Sequence, residues 1–380
     1  MKKLLALLLA ALLLLSMAAC AAKTEPAKTD EPAKTDEPAK TEEPAKTDDS
    51  TPAEAPAEEA EAPAAGAYDL TGCDALKITL PLPNGVTAVD TVYAEKWMEL
   101  VTERSNGLIT FDYTNSGVLG SPVELMEGVD MGAYDISIID IGNFGTYAPQ
   151  VDALCLPYII KDWDHAKAVY LGEPNAWVAE KIAEKMDITV LGTIGMGFRS
   201  VISKDPLYTL DDCKNYLIRT PDLELYIDAL GKLGFSCTSL AFSETYSGMS
   251  SGVINGMETT LNVLYDNGYY DVGKYILQTR HFFACSEVIV NTTFWNGLPE
   301  VYRQIIEDAF DEIEAEAWTY ARTTEEGMVP KFEEKGVEVN EFSAEDQAKI
   351  QEIFSDYWKE KAAGMGDGAS EMVDTLITLR

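Results

Sequence analysis

Histidine is scarce in this 380-residue chain, and the residue arrangements on which many enzymes depend are missing too. His165 and His281 have no nucleophile nearby in a recognised arrangement, and no His-Glu-x-x-His spacing occurs. Residues 192–197 read Gly-Thr-Ile-Gly-Met-Gly, but no helix is expected after them, because Pro206 and β-branched residues follow. The sequence therefore predicts a protein that is not an enzyme and that binds neither a cofactor nor a metal ion.

Positive charge is also in short supply. The chain has 29 Lys and Arg residues against 64 Asp and Glu residues, and its formal net charge is −35. A surface this acidic repels nucleic acids and anionic lipid headgroups. It also repels a diffusing anion at long range, so an anionic ligand would need local arginines to overcome the general field. Arginines in apolar surroundings are therefore candidate binding residues.

Cysteine occurs six times, but no Cys-x-x-Cys pair or metal-binding spacing is present. Apart from Cys20 there are five cysteines, and an odd number cannot pair completely. Cys155, Cys237 and Cys285 lie in apolar stretches and are expected to be small buried side chains.

One long apolar run stands at the N-terminus. Two lysines precede a Leu/Ala-rich stretch from Leu4 to Leu15, and the run ends at Met17-Ala18-Ala19-Cys20. This pattern predicts a lipoprotein signal peptide over residues 1–20, with Cys20 as the lipidated residue. The alternative is an ordinary cleaved signal with a chance cysteine. No later stretch reaches the roughly 18 apolar residues that span a bilayer, so we expect an exported protein anchored on the outer face of a bacterial cytoplasmic membrane.

Residues 21–66 form a low-complexity segment in which proline recurs every six residues from Pro26 to Pro44. The segment has no aromatic or β-branched aliphatic residues to bury, so it cannot offset its conformational entropy and is predicted to be a disordered tether. Residues 67–380 are then long enough for a solute-binding domain with two lobes.

The rest of the chain alternates between strand and helix patterns. Residues 76–82, 108–113, 135–139 and 188–194 are predicted strands, and helices are expected between them. A second set follows, with strands at 199–203, 216–220 and 282–290, helices at 223–233 and from a Ser243 cap to Gly252, and a long charged helix over 299–325. This alternation is typical of α/β lobes built on mostly parallel sheets, with a ligand cleft between them.

Two arginines lie in apolar strand patterns. Arg199 precedes Ser200-Val201-Ile202, and Arg219 follows Leu217-Ile218. A guanidinium group suits a carboxylate because its planar fork donates two parallel hydrogen bonds. A salt bridge within the protein, or an edge-strand arginine facing water, would explain the same pattern.

Several longer motifs occur in order along the chain. Those in residues 195–262 are Gly195-Met-Gly-Phe-Arg199, Pro206-Leu-Tyr-Thr-Leu-Asp-Asp-Cys-Lys214, Ile218-Arg219-Thr-Pro221, Phe242-Ser-Glu-Thr-Tyr246 and Gly252-Val-Ile-Asn-Gly-Met-Glu258-Thr259. Others are Gly117-Val-Leu-Gly120, Leu154-Cys-Leu-Pro157-Tyr158 and Trp295-Asn-Gly-Leu-Pro299-Glu300. As a set they resemble the solute-binding proteins of tripartite ATP-independent periplasmic (TRAP) transporters. The resemblance covers nearly all of residues 75–360.

The resemblance implies roles for individual residues. Arg219 would form the salt bridge to a ligand carboxylate, and Arg199 would assist it. Phe242 would pack on the carbon skeleton of the ligand. These roles come from the family pattern and not from residue spacing.

Four further residues are implied on the same basis. Asp140, at the end of a strand, would face the cleft, and Asn84 in the loop after the first strand is our choice for a polar contact. Thr259 stands where the family has asparagine; its side chain is shorter but can still donate a hydroxyl hydrogen bond to a ligand carboxylate. Asn262, three residues on, is the alternative residue for this contact.

The resemblance also implies a two-lobed fold like the type II periplasmic binding proteins. We expect residues 75–196 and 285–324 in one lobe, 197–284 in the other, and the C-terminal helices over 325–380 across both. The lobes would close on the ligand by a hinge motion.

The implied function is to capture a small organic acid and deliver it to the membrane permease subunits of a TRAP transporter. Because Asp140 would repel a second carboxylate, we favour a hydroxylated monocarboxylate such as a sugar acid over a dicarboxylate. Two alternatives remain from the sequence: the binding component of another importer class, and a ligand-sensing module.

Overall fold

A computed structural model describes residues 68–380, which contain ten strands and twelve α-helices. The strands are β1 (Leu76–Pro81), β2 (Ile109–Thr114), β3 (Ile136–Asp140), β4 (Ile188–Ser203), β5 (Leu217–Thr220), β6 (Ser236–Ser239), β7 (Gly256–Thr260), β8 (Tyr275–Gln278), β9 (Phe283–Asn291) and β10 (Glu338–Glu341). The helices are α1 (Val89–Arg104), α2 (Pro122–Asp130), α3 (Trp163–Tyr170), α4 (Glu173–Ala183), α5 (Glu224–Lys232), α6 (Phe242–Ser251), α7 (Leu261–Asp266), α8 (Thr292–Gly297), α9 (Glu300–Glu326), α10 (Met328–Glu334), α11 (Ala344–Ala362) and α12 (Ala369–Leu379).

Cys20, the signal peptide and the tether lie outside the described residues. Within residues 68–380, no helix is both long and apolar enough to cross a membrane.

One group of strands is organised around β9. This strand pairs antiparallel with β3 on one side and with the first part of β4 on the other. β1 and β2 form a parallel pair. β1 is tied to the start of β3, because the backbone amide and the hydroxyl of Thr79 each donate to Asp135 Oδ2 at 2.7 Å. The carboxyl ends of β1 and β3 therefore carry the loops that hold Asn84 and Asp140.

β4 passes from this group into a second sheet. Its last residues pair antiparallel with β7 and β8, and the sheet has the order β10-β8-β4-β7-β5-β6. The prediction of two separate strands at 188–194 and 199–203 was wrong, because ladder hydrogen bonds continue along a single strand of 16 residues. The expectation of mostly parallel sheets was also wrong. Both neighbours of β4 in this sheet, and β9 beside it, run antiparallel to it.

The glycines of the Gly-Thr-Ile-Gly-Met-Gly stretch have a packing role inside β4. A Cβ atom on Gly192 would stand 2.2 Å from the Phe310 ring, and one on Gly195 would stand 2.8 Å from the Trp318 ring. Both aromatic residues belong to α9, so the glycines allow this helix to lie directly on the strand. The stretch is therefore not a dinucleotide-binding loop, as expected from the sequence.

Two hydrophobic cores are present in the described residues. The larger core includes Trp97, Phe310 and Trp318, and the smaller core packs Ile202 of β4 with Met249 and other residues of the second sheet and its helices. β4 contributes to both cores, as expected for a strand that runs between two lobes. The lobe boundaries themselves stay a prediction.

The C-terminal helix α11 contacts two distant parts of the chain. Trp358 Nε1 donates to the carbonyl oxygen of Pro157 at 2.7 Å, and Tyr357 donates to Asp228 of α5 at 2.9 Å. Adjacent residues of one helix thus touch a segment assigned to the first lobe and a helix assigned to the second. That the C-terminal helices cross both lobes stays a prediction, as do the lobe boundaries.

Candidate ligand-binding site

Arg219 is a buried arginine without an acidic partner among residues 68–380. It lies in β5 with 7 % of its surface exposed, and its Nε donates to the carbonyl oxygen of Leu240 at 2.8 Å. No carboxylate oxygen of residues 68–380 lies within 4.0 Å of its guanidinium nitrogens, and Nη1 and Nη2 make no hydrogen bonds to these residues. Burial lowers the pKa of Arg219, and the negative charge of Glu258 opposes that effect. One hydrogen bond therefore holds the guanidinium group in place, and Nη1 and Nη2 can still donate hydrogen bonds to a ligand.

Arg199, by contrast, is committed to an internal ion pair. Its Nε lies 2.6 Å from Glu258 Oε2, and its Nη2 lies 2.8 Å from Glu258 Oε1. The internal salt bridge that the sequence left open is thus present for Arg199. Its role as an assisting ligand contact stays a prediction, and only Nη1 has no hydrogen bond to the described residues.

His281 completes a buried cluster with this pair. Its Nε2 lies 3.0 Å from Glu258 Oε2, and its Nδ1 lies 2.7 Å from the hydroxyl of Thr279. Burial lowers the pKa of His281, so the neutral ring donates from Nε2 and accepts the Thr279 hydroxyl at Nδ1. Burial alone would raise the pKa of Glu258, but Arg199 and His281 outweigh it and lower the value to about 2. The cluster therefore contributes no free positive charge to a ligand.

Phe242 lies beside Arg219, and its packing on a ligand stays a prediction. Its ring centroid is 5.8 Å from the Arg219 guanidinium carbon, and 43 % of its surface is exposed. Tyr269 lies next to it, with ring centroids 6.5 Å apart. Phe242 is the first residue of α6, and the N-cap is Ala241, so the prediction that Ser243 caps this helix was wrong. The helix begins earlier than expected, which places Phe242 in its first turn beside the arginine.

Asp140 ends β3, where the sequence placed it. Its Oδ1 accepts a hydrogen bond from the amide of Gly142 at 3.0 Å, and its Oδ2 has no hydrogen-bond partner in residues 68–380. Burial raises the pKa of Asp140, and the positive charge of Arg199 partly opposes this effect. Asp140 is thus close enough to Arg199 for the two charges to interact.

Asn84 binds a second buried acid that the sequence analysis missed. Its Nδ2 donates to Asp90 Oδ2 at 2.6 Å, and the backbone amide of Thr91 donates to Asp90 Oδ1 at 2.8 Å. Burial raises the pKa of Asp90 to about 6, although these hydrogen bonds oppose it. A sequence signal existed, because Asp90 lies at helical spacing from Ala94 and Trp97 on the buried face of α1. The side-chain amide of Asn84 is therefore already used in part for a hydrogen bond within the protein.

Thr259 and Asn262 lie on β7 and α7, in contact with the end of β4. Thr259 pairs with Ser200 in the sheet and is 6 % exposed, and its hydroxyl has no hydrogen-bond partner in the described residues. Asn262 Nδ2 is fully enclosed and also has no partner among them. Asn262 can donate to a ligand only if the surrounding segments move. The ligand role of both residues stays a prediction.

Comparison with known proteins identifies the family. A family model described as bacterial extracellular solute-binding protein, family 7, matches residues 86–364. The chain belongs to this family. Its members are TRAP solute-binding proteins and not enzymes, so the resemblance read from the motifs is confirmed.

Individual relatives are similar in sequence and in fold. A solute-binding protein of Chromohalobacter salexigens is 28% identical over 269 residues, which are 70% of this chain and 80% of the relative. A TRAP solute-binding protein structure from the same organism, with bound D-glucuronate, has a TM-score of 0.73 at 25% identity and covers 80% of this chain and 100% of that one. A sugar-acid-binding protein of Advenella mimigardefordensis in complex with galactonate has a TM-score of 0.76 at 19% identity, covering 81% and 99%. The two-lobed periplasmic-binding-protein fold is thereby confirmed.

The remaining histidine of this TRAP solute-binding protein has a structural position. His165 is buried in α3, where its Nδ1 accepts from the amide of Lys161 at 3.1 Å and its Nε2 lies 3.1 Å from the carbonyl oxygen of Leu376. It therefore fastens α12 to the body of the protein. The five cysteines in the described part of the chain are free; Cys155 and Cys285 are buried as expected, and Cys237 is only partly buried.

Two cavities lie away from Arg219. One of about 400 Å³ is lined by Trp163, Arg280 and Glu325, and one of about 510 Å³ is lined by Asn175 and Glu314 among others. Neither is lined by a predicted site residue. The candidate site around Arg219 therefore rests on the charges there and not on cavity size.

Proposed function

We propose that this TRAP solute-binding protein captures a small organic acid outside the cytoplasm, binds its carboxylate with Arg219 and delivers it to the membrane permease of a TRAP transporter. The lipid anchor at Cys20 and the tether over residues 21–66 would hold the binding domain near that permease. The family supports extracellular solute binding, whereas the anchor rests on the sequence pattern alone.

The observation that carries the proposal is the difference between the two arginines. Arg199 is neutralised by Glu258, but Arg219 is buried near it and has no acidic partner in the described part of the chain. An isolated buried charge is costly unless it is paired. A ligand carboxylate would supply that partner and could accept two parallel hydrogen bonds from the free guanidinium nitrogens. Such a pair, shielded from water, is worth more than the 0–1 kcal/mol of an exposed ion pair, roughly a few kcal/mol.

Two buried acids near Arg199 favour one class of organic acid. Asp140 lies close enough to Arg199 and to Asp90 for their charges to interact. A second carboxylate on the ligand would meet them as a like charge, whereas ligand hydroxyl groups could donate to them. We therefore propose a hydroxylated monocarboxylate such as a sugar acid. The D-glucuronate and galactonate bound to two relatives belong to this class.

The proposed role of Arg219 is tested with purified protein and a panel of organic acids. Native mass spectrometry identifies any acid that co-purifies, and a thermal-shift screen then ranks the panel. A ligand at 100 times its Kd stabilises the folded state by roughly 2.7 kcal/mol, which is readily visible as a rise in melting temperature. Arg219→Ala should abolish that rise and leave the melting temperature without ligand nearly unchanged.

A matched control is Arg322→Ala, since Arg322 is engaged in ion pairs with Asp164 and Glu326 on the surface. This variant should respond to the acid as the unmodified protein does. An Arg219→Ala protein that still responds to the same acid would show that the carboxylate is bound elsewhere.

A further inference from the structure

Tyr226 lies near both Arg199 and Asp140, the last residue of β3. Its ring stacks on Phe282, with centroids 4.2 Å apart and planes tilted by 26°. The guanidinium carbon of Arg199 lies 5.0 Å from the same ring centroid. Only 4 % of the Tyr226 surface is exposed. The ring is thus held on two sides, which fixes the direction of its hydroxyl group.

The hydroxyl group of Tyr226 lies near Asp140. A Cβ atom placed on Gly142 would lie 3.6 Å from this hydroxyl oxygen and 3.1 Å from Asp140 Oδ1. The hydroxyl oxygen makes no hydrogen bond to residues 68–380, and it is not among the fully enclosed polar atoms without partners. It therefore keeps some access to solvent in the neighbourhood of Asp140, whose Oδ2 has no hydrogen-bond partner among residues 68–380 either.

Packing alone explains the ring but not the hydroxyl. Phenylalanine would stack equally well on Phe282 and beneath Arg199, and it would bring no polar atom into a nearly closed space. A polar group taken out of bulk water without a hydrogen bond destabilises the protein. The hydroxyl donor and the Asp140 acceptor together match a ligand hydroxyl group, which can accept one hydrogen bond and donate another.

We propose that Tyr226 is a specificity-determining residue, whose hydroxyl and Asp140 together hold one hydroxyl group of the ligand whose carboxylate binds Arg219. This inference rests on the proposed function and adds the requirement for a hydroxyl group at one position of the acid. The Tyr226 hydroxyl donates a hydrogen bond to the ligand oxygen, and the Asp140 carboxylate accepts a hydrogen bond from the ligand hydroxyl. An acid lacking that hydroxyl leaves both protein groups without partners, which weakens its binding.

The test uses D-galactonate and its deoxy derivatives that lack the hydroxyl at carbon 2, 3 or 6 in turn. Kd values are measured by calorimetry for the unmodified protein and for Tyr226→Phe, which keeps the ring and removes only the oxygen. One deoxy derivative should bind the unmodified protein about 10-fold or more weakly than galactonate. Tyr226→Phe should weaken galactonate about 3- to 10-fold and should leave the affinity for that one derivative unchanged.

Such a double comparison isolates the contact between the two hydroxyl groups. If Tyr226→Phe weakens all four acids equally or none of them, the hydroxyl does not read the ligand and the inference is wrong. It is equally wrong if the unmodified protein binds none of the four acids. The exposed Tyr208, whose hydroxyl donates to Glu338, provides the control variant Tyr208→Phe, which should change no Kd.

The outcome for Arg219 is separate. Arg219→Ala should remove binding of all four acids, with or without the Tyr226 hydroxyl. Retention of binding by Arg219→Ala would refute the carboxylate site, whereas its loss together with a uniform effect of Tyr226→Phe would refute only the role of Tyr226.

Discussion

Replacing Glu258 by glutamine would leave the buried guanidinium of Arg199 without its counter-charge. Glu258 is fully buried, and its two carboxylate oxygens accept hydrogen bonds from Arg199 and His281. The amide of glutamine can occupy the same space but carries no negative charge. The change therefore tests the ion pair with little alteration of packing.

The magnitude follows from the pKa of Glu258, which is lowered from its ordinary value of 4.5 to about 2. Each pKa unit corresponds to about 1.4 kcal/mol, so the ionised carboxylate stabilises the folded state by on the order of 3 kcal/mol at neutral pH. Because the folded-state pKa is the lower one, this contribution is complete above about pH 4.5. It is lost as the pH falls toward 2. Loss of a buried partner typically costs a similar amount, about 3–5 kcal/mol.

Urea unfolding at pH 7 measures the effect. Glu258→Gln should reduce the free energy of unfolding by about 3 kcal/mol, and Arg199→Met combined with Glu258→Gln should recover part of that loss by removing the stranded charge. The exposed pair between Glu345 and Lys349, 2.9 Å apart, provides the control Glu345→Gln, which should change stability by less than about 1 kcal/mol. A double variant whose loss equals the sum of its two single losses would refute the reasoning, because it would show that the two side chains do not interact.

Two other predictions concern Glu287 and Cys20. Burial raises the pKa of Glu287 from 4.5 to about 8, so the folded protein keeps a proton that the unfolded chain loses, and stability should fall as the pH rises from about 4.5 through 8. Glu287→Gln should match the unmodified protein at pH 5 and exceed it at pH 9 by on the order of 4 kcal/mol in urea unfolding; parallel pH profiles would contradict this. Cys20→Ala should prevent incorporation of labelled palmitate and release the protein from the membrane fraction; a variant that stays with the membrane would exclude lipid anchoring at Cys20.

Elements with strong local signals were predicted well from the sequence. Ser121-Pro122-Val123-Glu124 is the sequence pattern of a capping box with proline at the first helical position, and α2 begins there with both reciprocal hydrogen bonds. The apolar run around Ile218 marked β5, and the apolar neighbours of Arg219 were enough to single it out. Such signals act within a few residues of one another, so the order of residues is enough to detect them.

The partner of each arginine was decided by tertiary structure. Arg199 and Arg219 have similar neighbours in the sequence. Among the residues that the structure describes, Arg199 meets a carboxylate, from a residue 59 positions away on the adjacent strand, and Arg219 does not. Tyr226 and Asp140 are brought together by a helix and a strand end that are distant in the chain.

The sequence by itself thus determined the helix and strand periodicity, the arginines in apolar strands and, through the combined motifs, the family. Only the tertiary structure decided which arginine is left with nitrogens free for a ligand, because charge neutralisation depends on distances of about 3–4 Å in three dimensions. Burial makes the difference between the two arginines larger, because an unpaired guanidinium that is removed from water costs free energy that a carboxylate partner would offset.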